Sequence, residues 1–114
     1  MGWIGVDLDG TLAQYNKFVS LDHIGAPIPA MVDRVKKWLE EGREVRIMTA
    51  RVATPWERSL AVGAIEDWCV AHIGQKLPVT SVKDQHMIEL WDDRAVQVEK
   101  NTGRVLGHST RGLT

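Results

Sequence analysis

Cysteine is almost missing from this sequence, with Cys69 alone among 114 residues. One thiol cannot close an internal disulfide, which excludes a small disulfide-stapled scaffold. Cys69 sits beside Trp68 in an apolar stretch and reads as buried filler rather than a nucleophile. Long apolar runs are missing too: none approaches the ~20 residues of a membrane span, and the N-terminus lacks the basic-then-apolar pattern of an export signal. A cytoplasmic protein with no membrane partner is the expectation. Charge of one sign is also lacking. Fourteen basic and 15 acidic residues give a formal net charge of -1, which offers nucleic acid no electrostatic support as a main partner. No linker, internal repeat or low-complexity tract interrupts the chain. Five tryptophans, at 3, 38, 56, 68 and 91, have no repeat spacing, and packing is their default reading.

What is present fits one domain spanning residues 1–114, with a tail from Gly107 that has little to pack against. Trp3 to Asp7 reads as a short buried strand ending in acid, followed by an irregular stretch over 13–28. Pro29 suits a first helical position, and a helix to Glu41 carries Val32, Val35, Trp38 and Leu39 as its apolar stripe before Gly42. A strand follows from Glu44 into Thr49. Thr54, Pro55 and Glu57 form a capping-box signature for a second helix, with Leu60, Ala64, Ile65, Trp68 and Ile73 at helical spacing. "LPVTSV" and "MIELW" are the third and fourth strands, and "AVQVEKNTGRVL" predicts a C-terminal hairpin. This alternation predicts an α/β, three-layer Rossmann-like parallel sheet with helices on both faces.

In such sheets ligands bind at the carboxyl ends of the strands. The polar residues fall there: Asp7 ends the first strand, Thr49 the second, Lys83 follows the third, and Asp92-Asp93 follow the fourth. Clustered carboxylates without His or Cys partners favour a hard divalent cation, with Mg2+ as the default. A cation would also relieve the repulsion between neighbouring acids in "GVDLDGTLA". A carboxylate can attack phosphorus to give an aspartyl-phosphate, and a second acid such as Asp9 can handle the protons. Lys83 and Thr49 would neutralise and hydrogen-bond the transferring group, with backbone N–H groups after Asp7 and Thr49, at Ala50 and Arg51, cradling its oxygens.

"DLDGTL", Thr49 at a strand end, Lys83, and "IELW" running into Asp92-Asp93 together resemble the ordered motifs of the haloacid dehalogenase-like superfamily. The "TAR" and "WDDRAV" contexts resemble its short bacterial and phage members. The resemblance implies Asp7 as nucleophile and metal ligand. It implies Asp9 as acid/base that also lends its backbone carbonyl to the metal, and Thr49 and Lys83 as phosphoryl binders. Asp92 would be a direct metal ligand and Asp93 a direct or water-mediated one. It also implies a turn and small flap within residues 8–20. No proline follows Lys83 and no further acid follows soon after Asp93, both departures from many relatives.

The gaps between motifs leave no room for a cap domain. An open site favours a bulky phosphorylated substrate or a neighbouring subunit as lid, which leaves a homo-oligomer open. The expectation is a magnesium-dependent phosphatase acting on a phosphomonoester. Two rivals stand beside it. A receiver-type signalling domain has similar residues in a different motif order, and a non-catalytic module could share the fold. Arg51 and Arg94 either reach substrate phosphate or pair with the acidic cluster, with the structural role favoured for Arg94, and His86 reads as a surface residue. Tyr15 and Trp56 either pack or line the entrance.

Overall fold

The computed structural model describes residues 2–107. Strand β1 (Trp3–Asp7) is followed by helix α1 (Pro29–Glu40), strand β2 (Glu44–Met48), two 3-10 turns (Ala50–Val52 and Pro55–Glu57) and helix α2 (Arg58–His72). Strands β3 (Val79–Thr80) and β4 (Met87–Trp91) complete the order. All pairings are parallel, in the order β3-β2-β1-β4, so the chain builds outward from β1 on one side and then returns to the other. The α/β Rossmann-like sheet expected from the sequence is what the chain forms.

Alternation in the two central strands decides what they bury. Ile4 and Val6 lie in register with Val45 and Ile47, and these four face α1 and α2 in one apolar core. Met31, Val32 and Val35 come from α1, and Ala61, Ile65, Trp68 and Cys69 from α2. Steps from β1 to β2 and from β2 to β3 run the same way, and right-handed crossovers place both helices on the same face. The second face therefore carries no helix among the described residues, unlike the two-sided cover read from the sequence. Trp3 covers it instead. Its ring lies 4.5 Å from the Arg46 guanidinium carbon, and its indole N–H donates to Asp84 at 2.8 Å. Tryptophan is wide enough to shield Gly5 beside it, which is how β1 stays buried on a face without helices.

Helix α1 starts at Pro29 as its sequence dictates, and the chain leaves it through Gly42 at φ +80, a conformation costly for any residue with a Cβ. The start of α2 differs from the capping box. Thr54 makes no side-chain cap; Pro55–Glu57 forms a 3-10 turn, and α2 begins at Arg58. Arg58 folds back onto the carbonyls of Val52 and Val79, so side chain and strand edge fix the helix start. The buried stripe is accordingly Ala61, Ile65, Trp68 and Cys69, while Leu60 faces solvent. The third strand is only two residues long because the Thr80 hydroxyl accepts from the Val82 N–H and turns the chain away. The predicted hairpin forms around Asn101 and Gly103, with Val98 bridged to Val105. Most of the expected tail, residues 108–114, lies outside the described residues.

The shifted stripe has a direct check. Ile65→Ala is expected to cost about 2–4 kcal/mol in chemical denaturation, whereas Leu60→Ala should change stability by less than about 0.5 kcal/mol. Equal losses would return Leu60 to the core.

Candidate active site

The rim formed by the strand ends begins with a tight turn after β1. The Leu8 carbonyl accepts from the N–H groups of Leu12 and Ala13, and Gly10 N–H donates to the Ala13 carbonyl at 2.8 Å. Leu8, Leu12 and Ala13 bury their side chains beneath this turn and anchor it to the core. Gly10 has φ +89, and a Cβ there would stand 2.6 Å from a carboxylate oxygen of Asp93. Only glycine lets the two motifs approach so closely.

That approach assembles the acidic cluster. One carboxylate oxygen from each of Asp7, Asp92 and Asp93 falls within 4.8 Å of the others. Burial comes first among the causes that push the Asp7 carboxyl up to about 7, followed by the charge of Asp92 and the proximity of Asp93. Three oxygen donors in this arrangement fit a hard divalent cation, and the set contains no softer ligand.

Thr11 holds the cluster together, and sequence reasoning gave it no role. Its hydroxyl accepts from the Asp93 backbone N–H at 2.9 Å and lies 3.1 Å from an Asp93 carboxylate oxygen, where it donates. The Asp7 carboxylate is 3.4 Å away. A signal was available: Thr11 is a polar residue set between the turn glycine Gly10 and the apolar pair Leu12-Ala13. Asp92 is fixed separately, by the Arg94 backbone N–H at 2.7 Å.

Asp9 points elsewhere. Arg51 grips it with two parallel hydrogen bonds, Nε to one carboxylate oxygen at 2.8 Å and Nη2 to the other at 2.9 Å. The remaining nitrogen, Nη1, donates to the carbonyls of Ser20 and Leu21 at 2.9 and 3.0 Å. Four guanidinium hydrogens are thereby engaged, and the side chain is only 6% exposed. Arg51 lines the cleft, and its guanidinium takes the pairing role, as a clamp between Asp9 and the segment after β1. A bidentate pair with the Arg51 side chain this well buried fixes the orientation of the Asp9 carboxylate.

The segment that Arg51 clamps is the flap. Gln14 N–H donates to the Ala26 carbonyl, Ala13 bridges Pro27, and the Trp68 indole N–H donates to the Gly25 carbonyl. The flap thus runs over 14–26, further than the 8–20 read from the sequence, because its return strand is what closes it.

Thr49 is buried at the end of β2, and its hydroxyl accepts from the Arg51 backbone N–H at 3.2 Å, which leaves its own proton free to donate. Asp7, Asp9, Asp92, Thr49 and Ala50 line one open cleft of about 590 Å³, together with Tyr15 and Phe18 of the flap. The structure brings these together as expected. Lys83 is exposed on the loop after β3, and that loop gives Ser81 to the cleft lining instead. Arg94, read as structural, lines the cleft. His86 is exposed as expected, and Trp56, 81% exposed, is not packed at all.

No family model and no curated protein matches this chain. A solved structure of a conserved protein from Bacteroides thetaiotaomicron is similar, at 25% identity and a TM-score of 0.58, over 82% of this chain and 76% of that one. The likeness supports the α/β fold.

Two outcomes follow from this geometry. The folded protein holds the Asp7 proton more tightly than the unfolded chain between pH 3.8 and about 7, so the stability it contributes at low pH is lost as pH rises through about 7. In chelator, Asp7→Asn should therefore raise stability at about pH 8 by about 1–2 kcal/mol, with the gain vanishing towards about pH 4. Denaturation curves at both pH values measure it, and an unchanged midpoint at the higher pH would separate Asp7 from the cluster. Arg51→Ala should free the flap, so that trypsin cuts after exposed Lys17 at least about tenfold faster while the rest of the domain stays folded. An unchanged cleavage rate would mean that the hairpin base alone orders the flap.

Proposed function

We propose that this chain is a magnesium-dependent phosphohydrolase of the haloacid dehalogenase-like kind, acting through an aspartyl-phosphate. The observation that carries the reading is the convergence of Asp7, Asp92 and Asp93 within 4.8 Å at the carboxyl ends of β1 and β4, with Asp7 and Asp92 opening onto a cleft shared with Asp9 and Thr49. Acids this close, one of them with a strongly raised pKa, are costly unless they bind a cation or do chemistry.

Asp7, Asp92 and Asp93 would hold the cation, which would offset the mutual repulsion of the three carboxylates and the charge of a bound phosphoryl group. An Asp7 oxygen attacks phosphorus, the bond from phosphorus to the ester oxygen breaks, and the leaving oxygen takes its proton from Asp9, the acid of this step. Water then attacks the phosphorus of the aspartyl-phosphate, giving inorganic phosphate and free Asp7. Asp9 then takes the proton of that water and returns to its starting state, and the two hydrogen bonds from Arg51 hold it in position. The Thr49 hydroxyl donates to a phosphoryl oxygen, and Arg94 supplies a cation at the rim where Lys83 had been expected.

A second reading, a non-catalytic module on the same fold, draws on one observation: Lys83 lies outside the cleft lining. Turnover separates the two. Hydrolysis of p-nitrophenyl phosphate should need Mg2+ and stop with chelator, and Asp7→Asn should abolish it. Asp9→Asn should lower kcat by about 10²–10⁴-fold. A folded, Mg2+-binding protein without turnover across a broad panel of phosphomonoesters would establish the module.

A further inference from the structure

The chain has one phenylalanine and one tyrosine, and both stand on the flap over the cleft. Phe18 is 56% exposed and Tyr15 38%, whereas Trp3 and Trp68 are buried in the body of the domain. Their rings contribute little to the core, so exposure of two aromatic side chains at one cleft wall calls for another role. The wall is also prepared. The Arg51 guanidinium carbon lies 5.8 Å from the centre of the Phe18 ring, and Arg51 is itself fixed by its bonds to Asp9, Ser20 and Leu21. A ring backed by an immobile cation is held in place while remaining accessible. Leu21, Met48 and Ala53 extend the apolar lining.

We infer that the site takes phosphomonoesters whose alcohol carries a flat aromatic ring, stacked on the flap rings Phe18 and Tyr15 while the phosphoryl group lies at Asp7. This inference rests on the phosphohydrolase reading and names the substrate class for it. The cleft volume of about 590 Å³ is that of a small-molecule site and accommodates a ring with a short spacer. A bare sugar phosphate would leave the two rings unused and bring hydroxyls to an apolar wall. The cleft thus serves a compact aromatic ester, in place of the bulky substrate that a missing cap had suggested.

Matched pairs of substrates with the same leaving-group chemistry test this. Adenosine 5′-monophosphate is compared with ribose 5-phosphate, and benzyl phosphate with cyclohexylmethyl phosphate, using the full chain with Mg2+. At least one aromatic member should exceed its partner by about tenfold in kcat/KM, carried mainly by KM. Preference for the nucleotide alone marks a nucleoside monophosphate, and preference for the benzyl ester alone marks a simple aryl-bearing ester. Phe18→Leu, which keeps bulk but removes the ring, should bring the preferred ratio towards one, and Phe18→Tyr should restore it. Turnover of both pairs with ratios near one, or a ratio indifferent to Phe18→Leu, would overturn the substrate class and leave the hydrolase standing. No turnover of any ester by folded, Mg2+-binding protein would remove the hydrolase and the substrate class together.

Discussion

Three carboxylates that repel one another are held within 4.8 Å, and much of the surrounding architecture exists to keep them there. Asp7 arrives at the end of β1, and Asp92 and Asp93 just beyond β4, the strand paired directly beside it. Parallel pairing makes the meeting unavoidable, since it brings the carboxyl ends of adjacent strands to the same rim. The turn after β1 then removes every obstacle. Gly10 gives up its Cβ to Asp93, and Thr11 fills the space between with one hydroxyl that both accepts and donates. Burial and like charge together push Asp7 up to about 7, which is the electrostatic cost of this closeness and the reason a cation fits it.

A second constraint acts through Arg51. Its guanidinium joins Asp9, the flap carbonyls and the Phe18 ring, while its backbone N–H reaches the Thr49 hydroxyl. One residue thereby sets the position of Asp9, the flap and the hydroxyl at the end of β2. Such a residue need not touch phosphate to matter. The flap is tied at its base by Trp68 and at its tip by Arg51, which holds its exposed rings along the cleft wall.

The frame was legible from local chemistry. The buried strand ending at Asp7, the proline start and glycine stop of α1, the strand before Thr49 and the terminal hairpin all appear where spacing and turn residues put them. Errors fell where a neighbour decided. Thr54 and Glu57 spell a capping box, yet Arg58 hydrogen-bonds two distant carbonyls and moves the helix start, rotating Leu60 outward. "LPVTSV" reads as a full strand, but the Thr80 hydroxyl turns the chain after two paired residues. The same early exit leaves Lys83 on an exposed loop and gives its place in the cleft lining to Ser81.

By itself, then, the sequence determined which groups end the strands: periodicity sets strand faces, and an acid or hydroxyl placed after an apolar run must surface at the rim. Asp7, Thr49, Asp92 and Asp93 were accessible in this way because their positions depend on contacts near in sequence. Only the tertiary structure decided which partner each side chain takes. Arg51 reaches Asp9 across 42 positions, Thr11 reaches Asp93 across 82, and Phe18 finds its support in Arg51. Long side chains choose among several acceptors by distance and burial. Those are set by strand order and loop path, which no local pattern encodes.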